Sequence, residues 1–375
     1  MFRILLIVFI VSSVLGNVSY AKNTLSRALF VSVIENPPVL TSRQQMLDLI
    51  DFAKKSGIHD LFVQVYYAGK AWFPSHIVDD SPYQQCRSRV QMDPLAFLIH
   101  QAHEKGLEVH AWINLLSLGK NVDSYFVRKY GVSILTCNLT AKHSPEDYKI
   151  DNQYFLEPGD PRVSEDLTRI VQEILNHYPD LDGLQFDYIR YPDFNPHYGY
   201  TKSNVERFQK ASGVRNIEDG SLVWKNWKRF CVTAIVRRLG QTARSLKPHV
   251  RLSTTGCMPY IRAYEEAFQD WGEWLNQGLV DFVTIMDYSA DVKEFERWIK
   301  AVKEKVQIWE KVKISVGAYK LLHTPKIFEQ EYQLCEKMAS SCAVFYYGSV
   351  LQSPEFQRFL NLDTGMTNVF KSRTN

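Results

Sequence analysis

The chain has 375 residues, of which 23% are charged, and a formal net charge of only +3. So even a balance gives no electrostatic ground for nucleic acid or an anionic membrane as a partner. The length fits two ordinary domains or one large α/β barrel, which runs to about 250 residues and takes insertions readily. Aromatic residues abound, with 20 Tyr, 21 Phe and 8 Trp. They suit stacking on sugar rings, but they also fill cores, so their number alone decides nothing.

At the N-terminus Arg3 precedes an apolar run from Ile4 to Leu15, followed by small and polar residues ending in Ser19-Tyr20-Ala21. This pattern reads as a secretory signal peptide over residues 1–21, cleaved after Ala21. Its apolar core is shorter than the roughly 20 residues that span a bilayer, and no Cys follows it for a lipid anchor. The expectation is an exported chain, periplasmic or secreted, with no integral membrane segment once the leader is removed.

From there to residue 362 strand-like and helix-like segments alternate. The expected strands are Ala28–Val33, Leu61–Tyr66, Leu107–Asn114, Gly183–Ile189, Val250–Thr255, Phe282–Tyr288, Ile314–Tyr319 and Ala343–Ser349. Amphipathic stretches lie between them: Arg43–Lys55, Pro94–Lys105, Pro161–His177, Trp224–Ser245, Arg262–Gln277, Val292–Val306 and Lys326–Ala339. This is the order of a (β/α)8 TIM-like barrel in a single domain over residues 22–362, followed by a polar tail, 363–375. The surplus length falls in the strand-to-helix loops after strands two, three and four, on the face where such a barrel keeps its chemistry. There is no Gly-rich first turn and no Walker sequence, so no nucleotide cofactor is expected.

The six cysteines show no CxxC metal spacing. In an oxidising compartment an even number permits disulfides. Cys86 with Cys137, and Cys335 with Cys342, are the expected bridges, and Cys231, inside a helical pattern, reads as a buried thiol.

Strand parity filters the polar residues, because the face rich in Val, Leu and Ile packs on helices and the other lines the barrel. It turns His110, Trp112 and Asn114 inward on strand three, Phe62, Gln64 and Tyr66 on strand two, and Ser315, Gly317 and Tyr319 on strand seven. In LDGLQFDYIRYPD, Leu181 to Asp193, it sets Gln185, Asp187 and Ile189 against Leu184, Phe186 and Tyr188. Asp187 thus ends an apolar strand facing in, with Arg190 at hand to hold it; a lone Asp would more readily be a structural one, capping a turn or holding Arg190 or a backbone amide. On strand six Asp287 falls with the helix-facing Val283 and Ile285, leaving Met286 and Tyr288 inward. Of His59, His76, His100, His103 and His110 only the last faces in, and zinc needs three or four ligands, so no metal site is expected.

Several strings resemble words of the glycosyl-hydrolase-like family ten, in the family's order. FVQVYYAGKAWFPS is similar to QVRxxGDAxYPS, and DPLAFLIHQAHEKGLEVHAWIN to DPLxxxIxxAHxxGLExHAWxN. FLEPGDPRV is similar to LDPGxPxV, LDGLQFDYIRYP to DGxxFDYxRYP, and MDYSAD follows later. The resemblance implies a barrel that hydrolyses a bacterial cell-envelope polysaccharide without a cofactor. Peptidoglycan glycan strands stripped of stem peptides are the leading substrate, and cell-wall or division-machinery proteins are the implied partners.

Glycoside cleavage usually takes two carboxyl groups. Asp187 is the first. For the second, Glu157 stands where the family often carries Asp, and Asp291 follows strand six; their plain readings are a partner for Arg162 and a helix N-cap. Gln64, Tyr66, Trp72, His110, Trp112, Asn114, Arg190, Tyr191, Tyr288 and Tyr319 are the expected sugar contacts. Family eighteen chitinases carry DGxDxDxE and MxYD at the matching strands. Here their acid and supporting Asp are replaced by Ile189 and Gln185, so that mechanism is excluded. The chain also departs from its own family, with HAWINLLSLG for HAWxNPxR and Tyr66 for an Arg. A barrel that binds glycan without cutting it is therefore the alternative, as is hydrolysis of an amino-sugar exopolysaccharide.

Overall fold

A computed structural model describes residues 26–35, 38–140, 144–193 and 196–361. The leader 1–21 and the tail 363–375 lie outside the described residues. Eight parallel strands run β1 (Ser26–Val31), β2 (Ile58–Tyr67), β3 (Glu108–Asn114), β4 (Gly183–Asp187), β5 (Arg251–Cys257), β6 (Phe282–Asp287), β7 (Val312–Val316) and β8 (Ser341–Val344). Each pairs with the next in sequence, and β8 pairs with β1, which also pairs with β2, closing the barrel. The short strand Lys70–Ala71 folds back antiparallel on β2.

The helices of the outer ring are α1 (Arg43–Lys55), α2 (Pro94–Glu104), α3 (Pro161–His177), α4 (Leu222–Leu246), α5 (Trp271–Asn276), α6 (Val292–Lys305), α7 (Pro325–Met338) and α8 (Tyr347–Gln352). Their starts are written into the sequence. The Asp-Pro pairs Asp93-Pro94 and Asp160-Pro161 supply an N-cap carboxylate, accepting from Ala96 N and Arg162 N, and a proline at the first helical position. Ser42, Ser221, Asp270 and Asp291 cap α1, α4, α5 and α6 in the same way. The expected helix over Arg262–Gln277 is broken into Tyr260–Glu265 and α5, with Phe268 between them in left-handed backbone at φ +52°. The last strand stops at Val344, and the residues expected to continue it turn instead into α8.

Two cores follow from strand parity. The outward residues of every strand join the helices in one large cluster, while Ala28, Phe30, Phe62, Trp112, Phe282 and Ala343 form a separate cluster inside the barrel. Tyr66 belongs to the outer cluster, which corrects the inward placement expected of it. The pairing of β2 with β3 shifts register between Gln64 and Tyr66, so a bulge carries Tyr66 to the helix side and brings Tyr67 to the barrel mouth.

His110 does face inward, but at the opposite end from the mouth, edge-on to Phe62 and Phe282 at 5.3 and 5.9 Å. Its Nε2 lies 2.9 Å from the Arg251 guanidinium, so it accepts there as a neutral ring, and burial lowers its pKa. Around it Asp60 binds Lys313 at 2.8 Å, His59 at 2.7 Å and Arg251 at 3.4 Å, and Arg251 also binds Glu108. Gly183 is required here, because a Cβ would collide with the His110 imidazole. His110 is thus part of an ionic floor rather than a sugar contact. Conserving structure at this face is the usual role of such groups in a barrel.

Cys335 and Cys342 form a disulfide across the α7 to β8 connection, with Cα atoms 6.0 Å apart. Cys86 and Cys137 are both buried free thiols, as are Cys231 and Cys257, so the bridge expected between the first two is absent. Each is buried in the outer core, and burial raises both thiol pKa values. Mapping under non-reducing conditions is expected to give one Cys335–Cys342 bridge and four thiols.

Asp287 points to the helices, as its parity predicts. Both its oxygens and both those of Glu331 on α7 are buried, and no side chain among the described residues donates to them. Burial, and then the charges of Glu331 and Glu294, push the Asp287 carboxyl up to about 9; burial and Asp291 push Glu331 up to about 8. Both are therefore protonated in the fold at neutral pH. Because their folded pKa values lie above the unfolded carboxylate range, the unfolded state binds fewer protons and stability falls as pH rises from about 4 towards 9. Asp287→Asn is expected to remove much of that slope, raising Tm at pH 8.5 by about 5 °C while changing it little at pH 5. Thermal melts across that pH series check it.

Candidate active site

The C-terminal ends of the strands surround a cavity of about 760 Å3, within the range of small-molecule sites. Asp187, the last residue of β4, stands in its wall. Four donors meet its carboxylate. Trp112 Nε1 and Asn114 Nδ2 on β3 reach Oδ2 at 2.9 and 3.4 Å. Thr255 Oγ1 on β5 and the Tyr188 amide reach Oδ1 at 2.5 and 2.7 Å. The donors come from strands on both sides, so the closed barrel itself orients the group. A longer relay supports it from β1 and β2: Ser32 Oγ donates to Gln64 Oε1 at 2.8 Å, and Gln64 Nε2 to Asn114 Oδ1 at 2.8 Å.

Arg190 is the cation beside Asp187, and Arg262 and Lys320 also line the cavity. Its Nε donates to Asp193 Oδ1 at 2.6 Å, its Nη1 lies 3.8 Å from Asp187 Oδ1, and its plane covers the Tyr188 ring at 4.3 Å. Burial opposes its charge, but Asp193 and then Cys257, Tyr188 and Asp187 outweigh that and keep it cationic. Tyr188 has φ +48°, unusual for an aromatic residue. That turn ends the alternation of β4 one residue early. It puts Tyr188 in the cavity wall and sends Ile189 into the outer core, the reverse of the expected sides.

The opposite wall is aromatic. Tyr288 packs on Tyr319 and Phe345 with centroids 5.7 and 5.1 Å apart. Gly317 leaves room for it, since a Cβ there would lie 2.9 Å from Tyr288 Cβ. The Tyr288 hydroxyl is buried beside the Ser315 side chain, and burial holds its pKa well above that of a free phenol.

Of the residues selected from sequence, Gln64, Trp112, Asn114, Asp187, Arg190, Tyr288 and Tyr319 line this cavity. Glu157 does not. It is fully buried in the loop after β3, where Tyr191 Oη, Thr136 Oγ1 and the Gly159 amide donate to it at 2.6, 2.9 and 3.0 Å. Burial raises its pKa. Tyr191 is thereby a strut under the loop and not part of the cavity wall. Asp291 accepts from the Glu294 amide at 2.8 Å as the α6 N-cap, and Trp72 packs against the outer core; both stand off the wall. These four placements turn on loop paths, which strand parity does not reach.

Asp193, Tyr67, Tyr188, Met258, Trp298 and Tyr346 line the cavity without having been singled out. A signal existed only for Asp193, which closes the RYPD end of the strand-four word. His59, Asp60 and Glu108 bring three ligand atoms within 4.8 Å of one another, but at the barrel floor, where Arg251 and Lys313 already bind the carboxylates. That arrangement does not suit a metal cation.

Relatives are found among bacteria. Over 275 residues the chain is 26% identical to glycosyl hydrolase DigH of Escherichia coli K12, covering 68% of this chain and 60% of that one. It is 24% identical to glycosyl hydrolase YngK of Bacillus subtilis 168 over 274 residues, 67% and 50% of the two chains. The chain thus spans between half and three fifths of the length of these relatives. Among solved structures, a beta-galactosidase from Marinomonas ef1 superposes with a TM-score of 0.59 at 11% identity, over 93% of this chain and 60% of that one. The catalytic domain of a Paenibacillus polymyxa beta-amylase gives 0.57 at 11%, over 90% and 98%. At such identities the two structures speak for the barrel fold alone. The glycosyl hydrolase-like 10 model matches residues 25–333, and the chain belongs to that family.

Proposed function

We propose that the protein is a glycoside hydrolase that cuts a β-linked amino-sugar glycan of the bacterial envelope, with peptide-free peptidoglycan strands as the leading substrate and the periplasm or cell exterior as its place of work. The observation that carries this reading is Asp187, a carboxylate at the C-terminal end of a barrel strand, ringed by donors and open to a cavity with an aromatic wall. The names of the relatives agree with it.

Hydrolysis breaks the bond between the anomeric carbon and the bridging oxygen; water supplies the hydroxyl to the carbon and a proton to the oxygen. Positive charge develops on the ring in the transition state. Asp187, accepting at both oxygens and fixed in direction, places negative charge beside it without having to reorient, which is the preorganisation that lowers such barriers. Tyr288 brings a phenolic hydroxyl to the same space, beside Ser315, suited to donate to a sugar or to its N-acetyl carbonyl. Asp193 is the other carboxylate in the wall among the described residues, and it takes the place first given to Glu157 or Asp291 as the second carboxyl.

With peptide-free glycan strands as substrate, Asp187→Asn is expected to lower kcat by on the order of 10^3-fold with strand binding retained. Chromatography with mass spectrometry of the products decides between the readings. Binding without turnover in the unsubstituted protein would favour the sugar-binding barrel instead. Asp193→Asn is expected to lose activity as well, whereas Glu157→Gln should lower Tm and leave kcat of the remaining folded enzyme within about twofold. A Glu157→Gln protein that is fully folded yet inactive would return that residue to the chemistry.

A further inference from the structure

We infer that the cavity around Asp187 is one lobe of a longer glycan cleft, and that a second lobe beyond Tyr67 and Tyr188 holds an uncharged pyranose unit of the same chain. The inference rests on the hydrolase reading for its ligand class. A second cavity, of about 590 Å3, lies beside the first, and the two share Tyr67 and Tyr188 in their walls. A ring-bearing polymer that reaches Asp187 therefore has a neighbouring pocket to enter, with the Tyr67 ring at the junction for a sugar to stack on, beside the Tyr188 ring that carries Arg190 on one face.

The walls of the second lobe are polar and fixed. Asn121 uses its Nδ2 on the Ala68 carbonyl at 2.9 Å, and Gln153 its Oε1 on Ser117 Oγ at 3.0 Å. This anchors both amides and leaves an acceptor on one and a donor on the other for hydroxyl groups. The charges balance. Lys70 is paired with Asp79 at 3.1 Å, which leaves Lys120 and Asp151 as the remaining cation and anion of the wall. Such a site reads hydroxyls and amides and gives no net attraction for a polyanion.

The backbone around this lobe is unlike that elsewhere in the barrel. Six described non-glycine residues have positive φ, and four of them, Ala68, Asp151, Asn152 and Tyr188, line this one cavity. Left-handed backbone at non-glycine residues costs energy and persists where surrounding structure enforces it, commonly at binding sites. Three separate loops, after β2, β3 and β4, adopt it here to form one concave surface.

The test uses peptide-free glycan strands of one disaccharide repeat and of several repeats, with the full chain and the variants Lys120→Ala and Asn152→Gly. Lys120 is exposed and Gly tolerates left-handed backbone, so both variants are expected to fold. The unsubstituted protein should prefer long strands in kcat/KM, and each variant should reduce that preference by about tenfold or less through KM, the scale of one hydrogen bond to a charged or amide group. The same preference should appear in Kd measured with Asp187→Asn, and raising the salt should leave it unchanged. Equal handling of short and long strands, or a preference untouched by both variants, overturns the second lobe. If no strand is cut by the unsubstituted protein, the hydrolase reading fails, and the Kd series alone then decides this inference by the same criteria.

Discussion

A carboxylate inside a barrel must be met by hydrogen-bond donors from the strands around it, and most of the upper half of this molecule is arranged to meet Asp187. Trp112 and Asn114 reach it from β3, Thr255 from β5, and the next amide along its own chain turns back to it. None of these groups is adjacent in sequence to another apart from Tyr188. They converge because parallel strands in register bring Asn114 opposite Asp187 and hold that pairing within a closed ring. The same logic extends through Gln64 to Ser32, so that four consecutive strands and the loop after β1 bear on the direction of one side chain. Loss of any one strand would leave a buried carboxylate partly unmet, a cost that falls on stability as well as on chemistry.

Along the barrel axis the interior changes character in three steps. At the mouth it is polar and charged, with Asp187, Arg190 and Asp193. In the middle Phe30, Phe62, Trp112 and Phe282 pack together, with Phe30 4.8 Å from Phe62 and 5.2 Å from Trp112. At the floor Asp60, Glu108, Arg251 and Lys313 close it with ion pairs. Trp112 joins two of these layers, since its ring packs in the aromatic middle while its Nε1 serves the carboxylate above. An aromatic body with one polar tip is what such a boundary needs.

The fold was legible because the period of two in strands and the amphipathic period of helices are local signals, and both survived into the structure. Asp187, Trp112, Asn114 and Gln64 were reached that way. Parity failed at the two places where the backbone leaves the regular strand. A bulge beside Val65 exchanged Tyr66 for Tyr67, and left-handed Tyr188 exchanged Ile189 for itself. Neither event has a mark in the sequence, since no glycine stands at either site. Glu157 and Tyr191 were assigned to the site from a motif and its place in a face loop, yet they bind one another beneath it. The path of a long loop is set by what it packs on, which is tertiary information. Asp287 was set aside correctly, and for the reason the structure bears out: its neighbours Val283 and Ile285 belong to the helix side.

The aromatic middle also settles the direction of traffic. With Phe30, Phe62, Trp112 and Phe282 filling the bore and ion pairs sealing it below, the barrel is a blind well with a single mouth. Whatever enters from the rim leaves by the rim. The lower strands then serve as ballast for the rim: Phe30, Phe62 and Phe282 contribute by filling space, and Trp112 alone of the four also serves the carboxylate above.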